Sequence, residues 1–119
     1  MVKRGGAKPG DKVFVSGTIG DGALGLAVHR RADAARNWKF DAQARAHLID
    51  RYLLPQPRAG LADALRHCAS AAMDVSDGLV GDLTKLCGVS SVSAEIRVAS
   101  VPLSGAARQA LASNPSLIE

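Results

Sequence analysis

At 119 residues the chain is long enough for one domain of ordinary size. A hydrophobic fraction of 47 % beside 22 % charged residues excludes a disordered chain, and no apolar run approaches the ~20 residues that a bilayer-crossing helix needs. The net charge of +4 leaves anionic ligands open, but the basic residues are scattered and do not interleave with aromatics, so no nucleic-acid partner is expected.

Residues 1–11 read as an irregular entry, with Gly5-Gly6 and a turn at Pro9-Gly10-Asp11. They are basic, but no apolar stretch follows as a secretory signal would require. Lys12 to Ser16 (KVFVS) predicts a short buried strand, and residues 17–22 a glycine-rich loop. Asp21 is placed to cap a helix through ALGLAVHRR, whose Arg30-Arg31 suit its negative end. A polar segment at 32–39 interrupts the pattern, with Trp38 as a loop anchor.

Phe40, Ala44, Leu48 and Tyr52, with Leu53 beside them, mark one face of the next helix. Pro55 in LLPQPR ends it, because the residue before a proline is pushed out of helical geometry. Pro57 suits the first turn of a further helix with the face Leu61, Leu65 and Cys68. Ala71 to Ser76 predicts a second strand. Leu79, Val80, Leu83, Leu86 and Cys87 form the clearest amphipathic helix, with Gly88 at its C-cap. Residues 93–98 alternate as a half-buried strand, and Pro102 stops it. Ser104 then caps a last helix through Leu111. Cys68 and Cys87 lack CxxC spacing and read as small buried hydrophobes in a reducing compartment, so the expected location is cytoplasmic.

The order β, α, α, α, β, α, β, α predicts an α/β (α+β) class, with helices packed on a small mixed sheet. Three strands are few for this much helix, and LASNPSLIE adds no closing element. A piece of a larger domain is therefore expected.

Two stretches carry candidate chemistry. Gly20, Gly22 and Gly25 satisfy GxGxxG at a strand-to-helix junction, the placement of a dinucleotide fingerprint. Downstream the match fails: polar residues and a helix replace the second parallel strand and its terminal acid. Asp21 would also set a carboxylate where a pyrophosphate must lie. A tight turn with close helix packing is the favoured reading.

In DVSDG, residues 74–78, strand alternation puts Asp74 and Ser76 on one face. Asp77 opens the turn, where it can cap the next helix, and Gly78 allows a sharp bend and close approach of a ligand. Adjacent carboxylates disfavour each other's ionisation unless a cation joins them. Mg²⁺ suits such a place, since it commonly uses one or two carboxylates together with substrate phosphates. Equally open is a plain reading: Asp77 a cap, Ser76 a turn residue, Asp74 a solvated strand end. Asp82, one helical turn on, is placed to support the site as a further acid, but a solvated helix face is the favoured reading. His29, His47 and His67 lie in separate helical patterns without i,i+4 partners, so no metal cluster is expected from them.

Read together, DVSDG, RGGAKPGDKVFVSGTIGDGALGL at residues 4–26 and LLPQPR at 53–58 resemble thiamine-monophosphate kinases. The order and spacing match over nearly the whole chain. The resemblance implies the aminoimidazole ribonucleotide synthetase superfamily, whose members have two α/β halves. The N-terminal half forms a homodimer and carries much of the ATP and Mg²⁺ site.

Residues 1–119 then form a single partial domain, the first part of the C-terminal half, and the N-terminal ATP-binding domain is absent from them. The implied reaction moves the γ-phosphoryl of ATP onto thiamine monophosphate, giving thiamine diphosphate. Asp74 and Asp77 match Mg²⁺-binding acids, Ser76 an ATP-contacting hydroxyl, and Arg4 a basic residue that contacts ATP. The expected partners are ATP and thiamine monophosphate, with neither nucleic acid nor membrane involved.

The family's later GGEDYE-like segment is also absent, so the chain alone is expected to be inactive. Alternatives are another kinase or synthetase of the superfamily, or a non-catalytic phosphate-binding module built on the glycine loop.

Overall fold

A computed structural model describes residues 2–31 and 33–118. The chain divides into two compact units, Gly17–Gln56 with Val101–Glu119, and Met1–Ser16 with Pro57–Ser100.

The first of these is helical. Helix α1 (Asp21–His29) begins after Gly20, which takes a left-handed φ of 93°. A short helix α2 (Asp33–Arg36) occupies the segment expected to be irregular. Helix α3 (Ala42–Leu53) starts at an Asp41 cap, whose carboxylate accepts from the Ala44 amide at 2.7 Å. It ends at Leu54, immediately before Pro55, as predicted.

Helix α6 (Gly105–Ser113) is capped by Ser104 as expected, with its hydroxyl accepting from Ala107 N at 2.9 Å. A 3₁₀ turn, Pro115–Ile118, follows. Val28, Trp38, Ala44, Leu48, Ala106 and Ala110 form the core, and Leu48 is wholly buried. Trp38 fills its expected anchoring role and meets Phe40 edge-on at 6.1 Å.

Small residues set the helix spacing here. A Cβ on Gly25 would lie 2.0 Å from the Leu48 carbonyl oxygen, so α1 and α3 can touch along their backbones only because glycine is there.

In the other unit a 3₁₀ turn, Ala59–Leu61, begins two residues after Pro57 and leads into α4 (Ala62–Cys68), so Pro57 lies before the helix and not in its first turn. Its expected apolar face is not buried: Leu61, Leu65 and Cys68 are all exposed. Cys68 is therefore not the buried hydrophobe that the pattern suggested. Helix α5 (Leu79–Ser90) runs past the Gly88 stop and ends at Ser91, whose φ of 55° makes the left-handed cap. The N-terminal segment is tied to this unit by Ala72 N donating to Lys3 O at 3.0 Å, and by Ser90 Oγ accepting from Gly6 N and Ala7 N.

The predicted sheet is the main departure. Among the described residues no β-strand forms, and segments 12–16, 71–76 and 93–98 run without ladder partners. Val13 and Phe14 are 52 % and 88 % exposed, and Val75 and Val98 are exposed too. The sequence carries the β-branched pattern of strands, but a strand is stable only when its amides and apolar face are both covered.

Candidate functional site

The DVSDG turn lies at the N-terminus of α5. Gly78 precedes the helix with φ 111°, a conformation that side chains resist, and no side chain caps from that position. Asp77, expected to cap, does not. The turn is braced instead from inside the helix: Asp82 Oδ2 accepts from Ser76 N at 2.7 Å and Asp77 N at 2.8 Å. Asp82 is only 1 % exposed, which corrects its reading as a solvated residue.

Its second oxygen, Oδ1, accepts from Lys85 Nζ at 2.9 Å. The same ammonium also pairs with Asp77 Oδ2. Lys85 and the Asp77 and Ser76 amides together hold the Asp82 carboxyl down at about 2. Asp77 first and Asp82 second raise the Lys85 pKa in return.

The geometry sorts the predicted residues. Asp74, Ser76 and Asp77 are exposed at one turn, with the backbone of the last two fixed by Asp82. Arg4 is exposed on the N-terminal segment, next to the Lys3 that bonds Ala72. Among the described residues, Asp77 is the one of these four whose side chain is engaged. Lys85 escaped the sequence reading, and Asp82 was placed on a solvated face. Their i,i+3 spacing on a helix was the available signal.

The donor set suits a hard divalent cation. It offers exposed carboxylate and hydroxyl oxygens, and Asp77 already attracts a cation in the Lys85 ammonium. Among the described residues, no group of three or more His, Cys, Asp or Glu could enclose a metal.

The glycine loop has a different role. Asp21 is 4 % exposed and accepts from Thr18 Oγ1 at 2.6 Å and Ser104 Oγ at 2.5 Å, with His47 Nε2 at 3.2 Å. Burial pushes its carboxyl up, but Ser104, Thr18 and His47 outweigh that and hold it below the ordinary range. The carboxylate joins α1, α3 and the α6 cap and fills the helix start that a pyrophosphate would need. Turn and packing, not a phosphate cradle, is the reading this supports.

Over residues 8–116 the chain matches the family described as AIR synthase related protein, C-terminal domain. It belongs to that family. As an AIR synthase-related domain it has relatives in thiamine-monophosphate kinases. One, from Caulobacter vibrioides, is 40 % identical over 99 % of this chain and 31 % of its own length. Another, from Escherichia coli, is 44 % identical over 87 % of this chain and 30 % of its own length. The chain thus spans less than a third of the curated relatives it matches.

Two solved structures share the fold of this AIR synthase-related domain. "AaThiL complexed with AMPPCP and TMP" aligns with a TM-score of 0.83 and 35 % identity, covering 95 % of this chain and 35 % of the other. The Stenotrophomonas maltophilia thiamine-monophosphate kinase aligns at 0.79 and 37 % identity, covering 91 % and 34 %. Among the described residues no helix is long and apolar enough to cross a membrane.

Proposed function

We propose that the chain is part of the C-terminal half of a thiamine-monophosphate kinase, working in a homodimeric, cytoplasmic protein about three times its length. The observation that carries this is the DVSDG turn, where a buried carboxylate fixes the Ser76 and Asp77 backbone while their side chains stay exposed. The kinase names of the relatives support the acceptor, and the AMPPCP complex of a structural neighbour supports ATP as the donor.

In this reading one P–O bond forms between the γ-phosphorus of ATP and the phosphate of thiamine monophosphate, and the bond to ADP breaks. The acceptor is already anionic near neutral pH, so no strong general base is required. The residues bind and align instead.

Asp74 and Asp77 would hold Mg²⁺, which neutralises phosphate charge when bound. Ser76 Oγ donates to a phosphate oxygen. Arg4 brings a guanidinium whose planar fork matches phosphate. Segments 12–16, 71–76 and 93–98 complete their sheet with chain from outside these residues, which accounts for the exposure of Phe14. The 119 residues alone supply only a share of the site and are inactive.

Calorimetry tests the nucleotide role. AMPPCP is expected to bind the purified chain with Mg²⁺ and not with EDTA, and Asp74→Asn or Asp77→Asn is expected to abolish binding. Binding indifferent to metal and to both substitutions would refute the assignment.

A further inference from the structure

We propose that Lys85 is a built-in competitor for the cation at Asp77, held in place by Asp82. The inference rests on the metal role given above to Asp77. It adds a residue that sets how readily that role is filled.

Three features carry it. The Asp82 carboxylate divides its work, with Oδ2 on the Ser76 and Asp77 amides and Oδ1 on Lys85 Nζ at 2.9 Å. Because Asp82 is buried, that end of the lysine is anchored. The other end is not: the Asp77 side chain is 69 % exposed and that of Lys85 is 50 % exposed. An exposed ion pair is weak and readily exchanged, whereas a buried carboxylate keeps its partner. The ammonium can therefore leave Asp77 while staying on Asp82.

A divalent cation arriving with nucleotide phosphates would take the Asp77 oxygens that Lys85 now contacts. The lysine's charge remains beside the site and opposes a cation that arrives without phosphates. Bare metal is thereby discouraged, while a metal–phosphate complex of net negative charge is accepted. Asp82 and Lys85 are positioning residues in this scheme, since they act through the Asp77 carboxylate and the turn amides.

The test uses Mn²⁺ alone, without nucleotide. Its binding to the 119-residue chain is followed by paramagnetic broadening of the Ser76, Asp77 and Gly78 amide signals. Lys85→Met should lower the half-broadening concentration on the order of tenfold, from the lost charge repulsion and competition. Lys85→Gln keeps a donor for Asp82 and should fold even if the methionine variant does not; it should shift in the same direction. Lys85→Arg keeps the charge and should stay near wild type.

Saturable broadening in wild type that is unchanged or weaker in both uncharged variants would overturn the role of Lys85 and leave the metal reading standing. Absence of saturable broadening at these residues in every protein would overturn both.

Discussion

Replacing Gly25 by alanine sets two known effects against each other on one helix. A Cβ built there lies 2.0 Å from Leu48 O, 2.8 Å from Leu48 C and 2.9 Å from Tyr52 Cβ. Carbon contacts are comfortable only from about 3.5 Å, so α1 and α3 must separate by roughly 1.5 Å along that line. The obstacle is mostly backbone, and no rotamer change relieves it. Leu48, which has 0 % exposure, and Val28, at 2 %, would lose their close packing as the helices part.

Overpacking of this kind costs about 1–3 kcal/mol, and more when backbone must shift. Alanine's better helix propensity returns about 1 kcal/mol. Because the obstacle is backbone, the upper end of that cost applies and a net loss of about 2 kcal/mol is expected, which lowers the melting temperature by about 8 °C in a chain this size. Gly22→Ala is the control. It lies on the same helix with nothing within 4 Å of its Cβ, and should leave stability unchanged or raise it by up to about 1 kcal/mol. Urea and thermal unfolding followed by circular dichroism read both. If Gly25→Ala proves as stable as wild type, the close approach of α1 and α3 is wrong.

Asp21→Ala takes the acceptor from the Thr18 and Ser104 hydroxyls, which meet it in part-buried hydrogen bonds, and should cost about 1–3 kcal/mol in urea unfolding. The native Asp21 pKa is depressed below 3.8. Its contribution is therefore complete above that value and is lost as pH falls through the native one. Asp21→Asn should lack that acid-side loss in unfolding curves measured at successive pH values. Asp82→Ala should speed hydrogen exchange at the Ser76 and Asp77 amides on the order of tenfold, because both lose their acceptor. Unchanged exchange would show that the turn does not depend on Asp82.

The helices were legible because their signals are local. Pro55, Ser104 and the Leu79–Cys87 periodicity each act within a turn or two: α3 ends and α6 starts where they predict, and α5 starts at Leu79 but runs past the predicted Gly88 stop. The sheet was not realised, since strand pairing is a non-local property and Val13 and Phe14 find no cover among the described residues. The residue types of the candidate site were legible in DVSDG, but their support was not. In sequence Asp82 looks like a surface acid and Asp21 like a helix cap. Each is buried because donors converge on it: amides and a lysine for Asp82, two hydroxyls and a histidine for Asp21. Ser104 reaches Asp21 from 83 residues away, a partnership no spacing rule anticipates.

The kinase assignment is tested most directly in a complete catalytic setting. In a hybrid of the Escherichia coli thiamine-monophosphate kinase, the matching segment is replaced by this chain, and thiamine diphosphate formation from ATP and thiamine monophosphate is measured with Mg²⁺. The hybrid should be active, and Asp74→Asn or Asp77→Asn within it should abolish turnover. A folded hybrid that makes no product, or an active one indifferent to both substitutions, would contradict the account.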